Sequence, residues 1–194
     1  MSELAHRNLE LKAEYESIEL VHANLKALEA KCSGNLCQVD TYFNVPKGRL
    51  KLREVKGYGG TLVYYERPDS AGSRYSRYQL CDIENHTTFK QMMSDVLGVK
   101  VVVEKNRELW FYGNTRIHLD KVLNLGEFIE LETVIRDQSE AEALAEHNHV
   151  KDTLHISAAN LIPVSYSDLL LGSVLKTDLE TESRDHTFSN CEKP

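Results

Sequence analysis

The sequence predicts an α+β fold in which amphipathic helices cover one face of a mainly antiparallel sheet. Eight segments alternate between polar and apolar residues with the two-residue period of a strand. Short turns containing Gly, Pro or Asn separate most of these segments, and few connections are long enough to be crossovers between parallel strands. At 194 residues the chain is long enough for one domain with a sizeable core.

The eight predicted strands mostly follow one another at the spacing of hairpins. Their turns contain residues that favour chain reversal, as in Pro46-Lys47-Gly48 and Gly113-Asn114. Alternation predicts strands over Arg7–Tyr15, Gln38–Phe43, Arg49–Glu54, Thr61–Arg67, Arg74–Cys81, Val99–Tyr112, Thr115–Val122 and Glu127–Ile135.

Four other segments have the periodicity and the end signals of helices. Ser17 is a candidate N-cap of the first, and Gly98 and Gly172 are placed to end the second and the fourth. The predicted helices span Glu14–Lys31, Thr87–Leu97, Ser139 to about His155, and Ser165–Leu171.

The composition excludes several classes of protein. Hydrophobic residues make up 41% and charged residues 27%, and no apolar run approaches the roughly 18 residues of a membrane-spanning helix. A net charge of −7 argues against general nucleic-acid binding, and no signal-peptide pattern opens the sequence. We therefore expect a cytoplasmic protein without nucleic-acid or membrane partners. Its one domain is expected over residues 1–172, with a polar, disordered tail over residues 173–194.

The polar faces of the predicted strands are sorted by the sign of their charge. Residues i and i+2 of a strand share a face, so Arg49, Lys51 and Arg53 form a cationic row, while Glu130 and Glu132 form an anionic one. A solvated face is the alternative for any one strand, but solvated faces usually mix both signs. Like charges at this spacing repel unless an opposing strand or a ligand neutralises them.

The amphipathic helices indicate where these charged faces point. Each helix needs an apolar sheet face to cover, so helices outside the sheet would leave the charged faces inside. A sheet closed into a barrel would then enclose a hydrated lumen with cations and carboxylates on its walls. Cations suit phosphate groups, and carboxylates suit Mg²⁺ or Mn²⁺. The expected ligands are a triphosphate and a divalent metal.

Several segments of the chain together resemble one protein family. Asn8-Leu9-Glu10-Leu11-Lys12 resembles the N-terminal ExExK signature of the CYTH, or triphosphate tunnel metalloenzyme, superfamily, although Asn8 replaces the first Glu. The resemblance spans roughly Arg7 to Leu171. The later segments, similar to the family's strand motifs in the same order, are Asp40–Phe43, Gly48–Glu54, Tyr65–Pro68, Glu104–Arg107, Arg116–Asp120 and Gly126–Glu132.

The resemblance implies a closed eight-stranded antiparallel barrel with helices packed outside it. It also implies an enzyme, a hydrolase that uses Mg²⁺ or Mn²⁺ to split inorganic tripolyphosphate into pyrophosphate and phosphate. A class IV adenylate cyclase, which converts ATP to cyclic AMP, and a thiamine triphosphatase are the alternatives. A polyanion-binding protein without catalysis is a third possibility, because Asn8 can offer a metal only a neutral oxygen.

Tripolyphosphate is the leading substrate because the strong signals in the sequence concern phosphate and metal. The only tryptophan, Trp110, shares its strand parity with Glu108 rather than with Lys105 and Arg107. It is therefore expected to face away from the lumen, where it could not stack on an aromatic ring.

The resemblance also implies roles for individual residues. Arg67 has the alternative of an ion pair with Glu66 or Asp69, Arg49 is expected at a rim, and His118 is interpreted as structural. The expected catalytic residues are Lys12 and Glu10; the phosphate contacts are Lys12, Lys51, Arg53, Arg67, Lys105, Arg107 and Arg116; and the metal ligands are Glu10, Asp120, Glu130 and Glu132.

Overall fold

In the computed structural model of the protein, eight antiparallel strands close into one barrel, as predicted. The structure describes residues 6–15, 17–70 and 72–173. The strands are β1 (His6–Ala13), β2 (Lys31–Phe43), β3 (Arg49–Val55), β4 (Gly59–Glu66), β5 (Arg74–Ile83), β6 (Val99–Tyr112), β7 (Thr115–Val122) and β8 (Gly126–Ile135). They pair around the barrel in the order β1-β5-β4-β3-β2-β6-β7-β8. The helices are α1 (Ile18–Ala27), α2 (His86–Leu97), α3 (Glu140–Thr153) and α4 (residues 166–173).

The first predicted helix is too long at its C-terminal end. Ser17 caps α1 as expected, but the helix ends at Ala27 rather than Lys31. Glu29 adopts a positive φ of 58°, a left-handed conformation that a helix cannot continue through. Lys31 instead begins β2, which pairs with the far half of β6 and so starts seven residues before Gln38.

The other helix ends agree with the sequence signals at all but one position. Ser139 and Glu142 form a capping box at the start of α3, and Gly98 follows α2 with a φ of 72°. The prediction that Gly172 ends the last helix is wrong, since residues 172 and 173 are both helical. The expected boundary between a domain over residues 1–172 and a tail over residues 173–194 stays a prediction, because residues 174–194 lie outside the described residues.

The main hydrophobic core lies outside the barrel, between its wall and two helices. Leu11, Ile117 and Leu131 point outward from β1, β7 and β8 and are 1% exposed or less. Leu25 of α1 and Val150 of α3 pack against them. Burial of each such side chain contributes about 1.5–3 kcal/mol to stability. The helices therefore cover the apolar face of the sheet, and the residues of opposite strand parity point into the lumen.

A second, smaller core closes one end of the barrel. Tyr166 of α4 packs with Tyr42, Val122 and Phe128. Its hydroxyl donates a hydrogen bond of 2.9 Å to Asp120. The end of the lumen near the β7–β8 turn is therefore covered by α4. Within the described residues, no helix is both long enough and apolar enough to cross a membrane.

His147 ties α3 to the barrel wall, and we expect it to make stability depend on pH. Its ring is fully buried, with Nε2 2.9 Å from Ser73 Oγ and Nδ1 2.9 Å from Thr133 Oγ1. Burial, and then the charge of Lys151, lower its pKa from 6.5 to about 4. The folded protein thus favours the neutral ring, and protonation costs stability. Between pH 7.5 and 4.5 we expect urea unfolding to show a loss of about 2–3 kcal/mol from this group.

A matched pair of histidine variants tests this expectation. His147→Gln should reduce the loss of unfolding free energy between pH 7.5 and 4.5. His149→Gln, on the exposed face of the same helix, should leave the loss unchanged. An equal pH dependence in the protein and in both variants would contradict the assignment.

Candidate active site

The interior of the barrel collects the charged side chains that strand parity places on one face. It encloses a cavity of about 260 Å³. Of the eleven predicted site residues, only Asp120 does not line it, and the expected convergence of charged faces in one lumen is confirmed. The residues that line the cavity are Glu10, Lys12, Lys51, Arg53, Arg67, Lys105, Arg107, Arg116, Glu130 and Glu132.

A larger cavity, of about 1080 Å³, lies on the outside of the barrel between the start of α2 and the β7–β8 turn. Outward-facing side chains such as Glu104 and Lys121 line it, and Lys105 is the one predicted site residue that it shares with the lumen. Because the charges suited to phosphate and metal face inward, the smaller cavity is the candidate active site.

Asp40 neutralises the cationic row of β3 from the opposing strand. Lys51 Nζ donates to its carboxylate at 2.8 Å, and Arg53 Nε donates at 2.9 Å. Burial raises the pKa of Asp40, but Arg53, Lys51 and Lys105 outweigh burial and hold the pKa well below its usual value. Arg49, at the end of the row, pairs instead with Asp69 and Asp168. An opposing strand, one of the two alternatives left by the sequence, thus compensates part of the row.

Lys105 is the least compensated cation of the lumen. Its Nζ lies 3.7 Å from Asp40 and 3.8 Å from Asp120, and it makes no hydrogen bond within the described residues. Burial, and then the neighbouring charge of Arg107, lower its pKa to about 7. All of its donor capacity is therefore available to a ligand in the lumen.

Glu130 and Glu132 form the acidic part of the lumen wall, and each is paired with a cation. Glu130 accepts hydrogen bonds of 2.8 Å from both Lys12 and Arg107. Glu132 lies 2.8 Å from Arg116 Nη2. Burial raises the pKa of Glu132, but Arg116, His118 and Arg107 together outweigh burial, and the pKa falls to about 2. Both side chains are thus carboxylates at neutral pH.

Glu10 is paired with Arg67, which donates a hydrogen bond to its carboxylate. Within the described residues, Arg67 therefore forms an ion pair with neither Glu66 nor Asp69, the partners that its sequence position offered. Arg74, which lies directly opposite Glu10 in the β1–β5 register, places its Nε 3.6 Å from the same carboxylate. Arg74 was not predicted as a site residue, and its register with Glu10 is the feature that brings it there.

His118, Glu130 and Glu132 form a candidate metal-binding group. One ligand atom from each lies within 4.8 Å of the others. Burial and the charge of Arg107 lower the pKa of His118, which favours the neutral imidazole that binds metals. Two carboxylates and one imidazole fit Mn²⁺ and, less well, Mg²⁺. His118 is thus a candidate ligand rather than the structural residue expected from the sequence, and its strand parity with Arg116 and Asp120 is the signal that indicates the lumen.

Asp120 and Glu10 were also predicted as metal ligands, and the structure places them outside this group. Asp120 is fully buried among lumen residues, and Arg107 donates to it twice at 2.6 Å. Its second neighbour is the Tyr166 hydroxyl. Metal binding by Asp120 and Glu10 stays a prediction.

Several polar atoms around Glu10 have no hydrogen-bond partner within the described residues. They are Nε of Arg67, Arg74 and Arg116, Nη2 of Arg74, and Oδ1 of Asn8, all buried. An unsatisfied buried polar group costs about 1–3 kcal/mol, and more when it is charged. The arginine nitrogens are donors and suit an anionic ligand that offers several oxygens, whereas Asn8 Oδ1 is an acceptor.

The two ends of the lumen differ in chemistry. Tyr166 covers one end, with Lys12 Nζ 3.5 Å from the centre of its ring. The opposite end is lined by apolar side chains, and Leu80 is 48% exposed there. Trp110 packs on the outer core and donates to Glu108 at 2.7 Å, so it faces away from the lumen as expected. The apolar side chains of the open end are Leu36, Val55, Leu80 and Leu109.

Proteins from several organisms resemble this chain. A Methanocaldococcus jannaschii protein named "Putative adenylate cyclase MJ0240" is 29% identical over 172 residues, covering 83% of this chain and 97% of the relative. The solved PH1012 protein of Pyrococcus horikoshii OT3 has a TM-score of 0.74 at 22% identity, covering 84% of this chain and 98% of that chain. A Hippeastrum protein, "Putative adenylyl cyclase HpAC1", described with a dominant triphosphatase activity, has a TM-score of 0.54 at 12% identity, covering 84% and 94%. The two solved structures share the fold.

The order of strand motifs along the chain also matches a defined family. The match to the CYTH domain extends from residue 6 to residue 166, from the start of β1 to Tyr166 of α4. The protein therefore belongs to the CYTH domain family.

Proposed function

We propose that the protein is a metal-dependent triphosphatase that hydrolyses inorganic tripolyphosphate to pyrophosphate and phosphate. The observation that carries this proposal is the surplus of cations over carboxylates in the lining of the lumen. Seven cationic side chains and three carboxylates line the cavity. Three arginines around Glu10 also retain unpartnered donors. A chain of phosphates together with a divalent cation would compensate both the excess charge and these donors.

The cations would hold the phosphates in line and stabilise the charge that develops during transfer. Lys51 and Arg53 of β3 lie across the barrel from Glu130 and Glu132 of β8, and Lys105 of β6 lies on the wall between these strands. A phosphate chain in the lumen would therefore touch both sides of it. The remaining proposed phosphate contacts are Lys12, Arg67, Arg107 and Arg116.

The acidic residues would hold Mg²⁺ or Mn²⁺. His118, Glu130 and Glu132 form the group that fits a metal, and Glu10 and Asp120 are proposed to add to it. When bound, the metal would neutralise phosphate charge and activate a water molecule for attack. Lys12 contacts Glu130 at 2.8 Å and is proposed to orient that carboxylate and a phosphate oxygen at the reacting centre.

Formation of cyclic AMP from ATP is the second candidate, and the apolar open end of the lumen favours it. Leu36, Val55, Leu80 and Leu109 offer a surface to an organic group, which tripolyphosphate lacks. The name of the Methanocaldococcus jannaschii relative points the same way. In this reaction the ribose hydroxyl would replace water as the nucleophile, and the same cations would hold the triphosphate.

A direct comparison of substrates tests the proposed function. We expect tripolyphosphate to be turned over with a higher kcat/KM than ATP or thiamine triphosphate, because the charged groups of the lumen address phosphate and metal. The measurements are phosphate release and cyclic AMP formation at matched Mg²⁺ or Mn²⁺ concentrations. A higher kcat/KM for thiamine triphosphate, or for cyclic AMP formation, would refute tripolyphosphate as the substrate.

A further inference from the structure

We propose that Arg67 and Arg116 compete with the divalent metal for the carboxylates that hold it. Metal would then bind these carboxylates tightly only when a polyphosphate draws the arginines away. The inference rests on the proposed function, since it assigns the arginines to phosphate and the carboxylates to metal. It adds a coupling between the two ligands, in which polyphosphate bound to the arginines frees the carboxylates for the metal.

The ion pairs of the lumen join each proposed metal ligand to a proposed phosphate ligand. Arg116 Nη2 lies 2.8 Å from Glu132 Oε2, and Arg67 donates to Glu10. The Arg67–Glu10 pair is buried, with side chains 3% and 10% exposed, and the Arg116–Glu132 pair is partly buried, with side chains 32% and 18% exposed. The proposed phosphate ligands and the proposed metal ligands are therefore paired with one another.

Arg67 and Arg116 each have a hydrogen-bond donor that the ion pair with a carboxylate does not use. The Nε atoms of Arg67 and Arg116 are buried without partners within the described residues. A phosphate offers several oxygens and can accept a bidentate contact from a guanidinium group. An arginine that turns from one carboxylate to a phosphate would thus satisfy a donor that has no partner in the ion pair.

Charge makes the two binding events depend on each other. A divalent cation placed on Glu132 while Arg116 remains 2.8 Å away would face a like charge in a poorly hydrated lumen. Polyphosphate on the arginines without metal would leave buried carboxylates beside phosphate oxygens. Binding of both ligands removes both conflicts, so each ligand should raise the affinity for the other, and by the same factor.

Direct contact between metal and phosphate would also couple their binding, so the test uses Mn²⁺ alone. In the absence of any polyphosphate, Arg116→Gln should bind Mn²⁺ at least about tenfold more tightly than the unaltered protein, because Glu132 loses its competitor. Electron paramagnetic resonance of free Mn²⁺ in a titration of the full chain gives the affinity without turnover. Pyrophosphate should then improve Mn²⁺ binding less in the variant than in the unaltered protein.

Arg49→Gln is the matched control. Arg49 pairs with Asp69 and Asp168 rather than with a lumen carboxylate, so its removal should leave Mn²⁺ affinity unchanged. Arg67→Gln, which frees Glu10, provides a second variant if Arg116→Gln fails to fold by circular dichroism. Mn²⁺ binding that is unchanged or weaker in the folded Arg116 or Arg67 variant would overturn the inference. Absence of tripolyphosphate hydrolysis would instead count against the proposed function alone.

Discussion

Glu130→Gln is expected to lower kcat/KM for tripolyphosphate by at least about a thousandfold. Glu130 is a member of the candidate metal-binding group, and it also receives hydrogen bonds of 2.8 Å from Lys12 and Arg107. The amide keeps the shape of the side chain but removes the negative charge that attracts a metal. Activity should therefore need a higher Mn²⁺ concentration to reach half of its maximum, while substrate binding changes less.

Glu127→Gln provides the matched control on the same strand. Glu127 is 46% exposed and pairs with Lys121 at 3.3 Å, outside the lumen. Its variant should retain the activity and the metal titration of the unaltered protein. If Glu130→Gln, folded by circular dichroism, kept an unchanged metal titration, or if the unaltered protein turned over fully in excess chelator, the metal role of this wall would be refuted.

Much of the barrel could be predicted because strand parity is a local property. Residues two apart share a face, so Lys105 and Arg107, or Glu130 and Glu132, could be assigned to one side without knowledge of their partners. The sign of the charges and the amphipathic helices then indicated that this side was the interior. The structure places all four residues in the lumen.

The partners of these charges could not be predicted, because they depend on register between distant strands. Asp40 meets Arg53 across β2 and β3, and Arg74 meets Glu10 across β1 and β5. Parity fixes the face of a residue but not its height along the barrel axis. His118 illustrates the same limit, since its role as a candidate ligand depends on its position opposite Glu130 in β8.

The two errors in helix length have a related origin. The apolar spacing that indicates a helix continues beyond Ala27, but the left-handed conformation of Glu29 turns the chain into β2. Pairing of β2 with the long strand β6 outweighs the local preference. Gly172 is a good stop signal by itself, yet residues 166–173 form one helix.

Lys105→Met is expected to make the protein more stable and less active. Lys105 is buried and lacks a hydrogen bond within the described residues, and burial followed by the charge of Arg107 lowers its pKa from 10.5 to about 7. Holding this ammonium in the fold therefore costs up to about 4 kcal/mol near pH 7. Methionine fills a similar volume without charge, so the free energy of unfolding should rise.

The activity should change in the opposite direction. The Lys105 ammonium lines the lumen with its donors available, and it is one of the proposed phosphate contacts. Its loss should lower kcat/KM for tripolyphosphate by at least about a hundredfold, mainly through KM. Lys121→Met, at an exposed position in β7, should change neither stability nor activity. Urea unfolding and phosphate release on the same preparations measure both effects.

The stability gained by Lys105→Met should depend on pH if it comes from removing a buried charge, and should not if it comes from better packing. Between about pH 7 and 10.5 the unfolded chain keeps the Lys105 proton and the folded chain does not, so the stability of the unaltered protein rises with pH over this window. The advantage of Lys105→Met should therefore shrink from pH 7 to pH 10. A gain that stays constant across this range would indicate packing. A loss of stability at pH 7 would show that Asp40 and Asp120 compensate Lys105 fully, and that its ammonium is not reserved for a ligand.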